Sequence, residues 1–176
     1  MSQSFRRGIR LAIDWGDARI GVAACDSGGV LAYPLTTVRA GDDEIGELMA
    51  VVAEHEPIEV LVGLPRSLSG REGPAAAKAR ERAARLAARS DVPVRLVDER
   101  LTTVAAAQRL HETGKRAKEQ RGLIDAAAAV AILEQALVFE QSQGSPPGEL
   151  VSATGGPVTD GPDLPGGSGQ ESPAQT

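Results

Sequence analysis

Between Arg7 and Asp14, apolar Ile9, Leu11 and Ile13 alternate with Arg10, Ala12 and Asp14, which is the period of a strand. A tight turn containing Gly16 leads into a second apolar run, Ile20 to Ala24, so the two segments read as a hairpin. Val30 to Val38 is a third extended stretch. Its Pro34 cannot donate to a ladder and therefore suits an edge strand. The period then changes: Ile45, Leu48, Met49 and Val52 recur at helical spacing behind Asp42 as a cap, and Val60 to Val62 is a short buried strand. Ala75 to Ala88 favours helix and follows Pro74, a residue suited to a first helical turn. Val92 to Val97 is again a short strand, and Leu101 to Leu110 and Ile124 to Phe139 read as helices. Three meandering strands followed by alternating helices and strands predict an α/β domain over residues 7–141, with a five-stranded mixed sheet flanked by helices.

From Gly144 onward the chain is Gly, Pro, Ser and Thr with scattered acids. Residues 142–176 therefore read as a disordered tail, too poor in apolar side chains to offset the entropy of ordering. The tail changes the meaning of the net charge of −5. Four of the acids, Glu149, Asp160, Asp163 and Glu171, lie in this stretch without Lys or Arg, leaving the remainder at −1. A near-neutral domain can still hold a polyanion through a local basic patch. Cys25 is the only cysteine, which excludes an internal disulfide and fits a buried residue in a reducing cytoplasm. No run of 18 apolar residues marks a membrane span, and no signal peptide is apparent.

Three segments carry candidate chemistry. Asp14 ends the first strand on the face of Ala12, whose small side chain leaves room above the sheet, and Gly16 and Gly21 permit close backbone approach. Asp17 reads as a solvated turn residue. Asp98 and Glu99 follow the last strand, at the edge where α/β sheets place ligands. Alternation puts Glu99 with Val97 and Asp98 on the other face, and the spacing does not choose between them; Asp98 and Thr102 also suit helix capping. Asp125 heads a nearly all-apolar helix, with positions 128, 129, 132, 136 and 139 on its own face, and a carboxylate there needs a partner. Hard carboxylate oxygens suit Mg²⁺ or Mn²⁺, whereas His55, His111 and a lone Cys give no zinc ligand spacing.

These segments, with Val62-Gly63-Leu64-Pro65 and Gly70 between them, resemble the YqgF/RuvX family of RNase H-like nucleases. The motifs are Asp-x-Gly-x-x-Arg-Ile-Gly-Val-Ala, Val-Gly-Leu-Pro, Asp-Glu-Arg-Leu-Thr-Thr and a helix-opening Ile-Asp-Ala-Ala, in that order, and the resemblance spans Arg7 to about Phe139. It implies a metal-dependent nuclease that processes the pre-16S ribosomal RNA end or resolves Holliday junctions; symmetric junction cleavage needs a homodimer, whereas RNA trimming works with a monomer. It assigns the acids to Asp14, Glu99 and Asp125, taking Glu99 over Asp98, and offers Arg19, Arg100 and Thr103 as supporting residues. Here the approach to the last acid is Lys118-Glu119-Gln120-Arg121-Gly122, where the family is richer in lysine.

Two basic groups could hold nucleic acid. Lys78, Arg82, Arg85 and Arg89 share one helix face, which reads first as a solvated surface. Lys115, Arg116, Lys118 and Arg121, next to Asp125, carry more weight as substrate contacts. With aromatics at 2%, recognition is expected to rest on phosphates, sugars and shape instead of base stacking. Two other readings are an actin-like ATPase, which needs a second domain that this length does not hold, and a non-catalytic nucleic-acid-binding module, which would be expected to lack one of the acids.

Overall fold

The computed structural model describes residues 4–99 and 117–153, of which 117–125 by backbone alone. Six strands form one sheet: β1 Arg10–Trp15, β2 Arg19–Cys25, β3 Ala32–Arg39, β4 Glu59–Leu64, β5 Val94–Asp98 and β6 Glu149–Leu150. Their order is β3-β2-β1-β4-β5-β6. β1, β2 and β3 are antiparallel, β4 and β5 run parallel to β1, and β6 is antiparallel to β5. This is the mixed α/β sheet expected from the order of elements, with six strands instead of five. The extra strand falls in the stretch read as a tail, where Glu149 pairs with Leu96 and Leu150 with Arg95. Gly148, at φ 71°, makes the turn into it. The predicted helix at 101–110 and the tail from 154 lie outside the described residues.

Pro34 sits on an edge strand, as its missing donor requires, and the β2–β3 register slips there between Val22 and Ala23. α1 (Glu44–His55) begins one residue later than read, with Asp43 at the cap position and without a side-chain capping bond. α2 (Pro74–Arg89) places Pro74 in its first turn. Both cover one face of the sheet, over Leu11, Ile13, Trp15, Ile20, Val22, Val60 and Val62. α3 (Ala117–Gln143) crosses β1, β2 and β3 on the other face, over Ala12, Ala23, Cys25, Leu61 and Val97. The small residues on that face let a long helix come close to the sheet. Its buried stripe is Ala126, Ala129, Ile132, Leu133, Ala136, Leu137 and Glu140. Phe139, expected on the inward face, is 44% exposed, although Ile132, two turns before it on the same side, is buried. No helix among the described residues is long and apolar enough to cross a membrane.

Arg10 takes the α3 face as alternation requires, yet is fully buried there. It joins Glu59 at 3.2 Å and Glu140 at 2.9 Å, and Arg6 reaches the same two acids. Cys25, also buried, lies against the Arg10 amide, and burial pushes its thiol pKa up. This cluster joins the start of β1 and β4 to the far end of α3.

Candidate active site

The opposite end of the sheet is built differently. Asp14 shares the α3 face with Ala12, as alternation predicts, and its register partner on β2 is Gly21. On the other side β4 contributes Gly63, the residue after Ile13's partner Val62. A side chain on Gly63 would collide with the Glu99 carboxyl and, at 2.8 Å, with Ile132 Cδ1. The Val-Gly-Leu-Pro glycine therefore clears the sheet surface on which the Glu99 carboxyl lies. Glu99 extends β5 and its amide donates to the Leu64 carbonyl at 3.1 Å, which ties it to the end of β4.

Glu99 hydrogen-bonds Asp14 through their side chains. Burial first, and then the Asp14 carboxylate, push the Glu99 pKa up to about 7. Asp98 turns to the other side, where Arg66 lies 3.8 Å away. Of the two acids that spacing left open, Glu99 is the one brought to Asp14.

The pair opens into a recess of about 180 Å³ whose far wall is the first turns of α2, including Lys78 and Arg82. Asp17, read as a solvated turn residue and indeed exposed, also holds both: Lys78 donates to it at 2.6 Å and Arg82 at 3.2 Å. Arg82 also donates to the Trp15 carbonyl at 3.1 Å and lies over the Trp15 ring. The helix face first read as solvated thus supplies two cations to the carboxylate recess. The signal that could have found them was the proximity of a strand-end acid to the helix after β4. Farther along that face, Arg85 approaches Glu44 at 3.8 Å and Arg89 is exposed.

Arg19 opens β2 beside the site. Asp125 lies in α3, four residues before Ala129, and its side chain falls outside the described residues together with those of Lys118 and Arg121. Arg100, Thr103, Lys115 and Arg116 are likewise outside them. Among the described residues no group of three or more His, Cys, Asp or Glu side chains is placed to hold a metal ion.

Residues 8–138 match the model of the RuvX family, described as Holliday junction resolvase. A protein of Streptomyces coelicolor named "Putative pre-16S rRNA nuclease" is 58% identical over 149 residues, covering 83% of this chain and 89% of the relative. A protein of the same name from a Nocardioides species is 54% identical over 155 residues, covering 85% and 99%. The solved structure of Thermus thermophilus RuvC in complex with a Holliday junction substrate aligns at 16% identity and a TM-score of 0.47, covering 79% of this chain and 98% of that one. With the family model spanning most of its length and relatives above half identity along nearly their whole sequence, the chain belongs to the RuvX family.

Proposed function

We propose that this chain is a divalent-metal nuclease that trims the end of the 16S ribosomal RNA precursor in the cytoplasm, with Asp14, Glu99 and Asp125 as its acids. The observation that carries it is the convergence of Asp14 and Glu99 on the sheet end, facing the Lys78 and Arg82 wall. Family membership makes the reaction phosphodiester hydrolysis.

The residues present fit a hard divalent cation such as Mg²⁺ or Mn²⁺. Two carboxyl groups crowd together over a glycine whose missing side chain gives them space, an arrangement that repels itself once both are ionised. Asp14 and Glu99 would hold the metal with Asp125, which helical spacing sets one turn ahead of buried Ala129. The chemistry supplied by such a cation would be activation of a water and stabilisation of the leaving oxygen.

The remaining work belongs to the side chains. Glu99, its pKa raised to about 7 by burial and then by the Asp14 carboxylate, holds a proton that it gives up near neutral pH, which frees its carboxylate. Lys78 and Arg82 can exchange the Asp17 carboxylate for a substrate phosphate, which places the anion across the recess from the acids. Arg19, Arg100, Thr103, Lys115, Arg116, Lys118 and Arg121 are proposed as further substrate contacts.

Junction cleavage is the second reading, favoured by the description of the matching family. The experiment is a Mg²⁺ titration with an RNA carrying the precursor end and with a four-way DNA junction, comparing wild type with Asp14→Asn and Asp125→Asn. Precursor trimming that falls at least 100-fold in both variants is the expected result. Equal cutting by the variants would overturn the site, and cutting of the junction alone would transfer the assignment to recombination.

A further inference from the structure

Arg19 on β2 and Arg39 on β3 are direct register partners in adjacent antiparallel strands. Their neighbours Ile20 and Val38 are buried under α1 and α2, so alternation sets both arginines on the opposite face, the one that carries Asp14. Like charges placed directly opposite on neighbouring strands destabilise a sheet. No carboxylate lies within ion-pair distance of either arginine among the described residues. Arg6, Arg10, Arg80 and Arg82, by contrast, each sit against one. The two flank an open recess of about 460 Å³ that also includes Thr37. Thr37 pairs with Gly21, and Gly21 with Asp14, so the recess starts two strands from the acid, roughly 10 Å along the sheet end at ordinary strand spacing.

A repulsive cationic pair with no counter-charge among the described residues, beside an open recess and in line with the carboxylates, suits an anion that arrives from outside. We propose that Arg19 and Arg39 form a clamp for a backbone phosphate of the substrate strand, a position or two away from the bond that is cut. The identity of the anion rests on the nuclease reading; the pairing and the part played by Arg39 rest on the sheet register. The clamp extends the path of the strand from the Lys78 and Arg82 wall, past Asp14, to the β3 edge.

The test is equilibrium binding of a labelled single-stranded oligoribonucleotide to the full chain in EDTA, between 50 and 200 mM KCl. Each lost phosphate contact lowers the slope of log K against log salt by about 0.7 for a single strand. Arg39→Gln and Arg19→Gln are each expected to reduce the slope by about that amount, and the double variant by about 1.4. Arg39→Lys, which keeps the charge, should hold the slope, and Arg89→Gln, at the exposed end of α2, should leave it unchanged. Arg39→Gln should also melt at a higher temperature without RNA, because a repulsion is removed; this confirms that the variant is folded. An unchanged slope in folded Arg39→Gln overturns the clamp, even if melting rises. Wild type that binds with the stated salt dependence and cuts no substrate would sink the nuclease reading and leave the clamp standing. Normal cleavage with an unaltered slope would do the reverse.

Discussion

Glu99 holds a proton that the unfolded chain gives up. Its folded pKa of about 7 stands above an ordinary 4.5, so between those values the native state binds more protons. Native stability is therefore expected to fall as pH rises from about 4.5 to 7, and to stay lowered above. Because the side chain is only half-buried, about 1–2 kcal/mol is a reasonable size for this loss. Urea unfolding in EDTA at pH 5 and pH 8 should show it in wild type and much less in Glu99→Gln, and Mg²⁺ at pH 8 should restore it. A pH-independent wild type would contradict the crowding of the two acids. Gly63 belongs to the same scale. Gly63→Ala places a methyl group against Glu99 and Ile132 and should cost about 1–3 kcal/mol in urea while lowering cleavage at least tenfold. The face that Asp14 takes could be read from alternation alone. Glu99 could not, because adjacent residues at a strand end differ only in the face they take, and the face is fixed by strands far away in sequence.

At the level of elements, the strands and the helices α1 and α2 follow from periodicity, with ends displaced by a residue or two. Arg10 and Glu59 escaped it. Both sit at strand positions that pattern treats as polar, yet each is sealed because the charges neutralise one another beneath Arg6 and the end of α3. Glu140 was equally hidden within an apolar helix. It accepts from Arg6 and Arg10, which hold its carboxyl below the usual range. Glu140→Ala leaves Arg10 buried with one partner fewer and should cost about 3–5 kcal/mol, measured by urea denaturation. A loss below 1 kcal/mol would mean that water replaces the missing carboxylate.

For the whole molecule, the boundary of the domain is what composition misjudged. A two-residue strand among Gly and Pro gives no periodic signal, yet β6 completes the sheet edge, and Glu149 accepts from Arg80 at 2.9 and 3.0 Å. A chain ending at Ala153 should match the full chain in melting temperature and in cleavage. One ending at Gly144 should melt several degrees lower, since β5 becomes an unpaired edge. Equal melting by the two would show that β6 contributes nothing to the fold.

The glycine-flanked acid stands on β1, an interior strand bonded on one side to antiparallel β2 and on the other to parallel β4. Such a strand cannot fray from an edge; it comes loose only when the sheet as a whole gives way. Heat should therefore abolish catalysis and structure at a single temperature, with no window in which a folded chain has lost its chemistry.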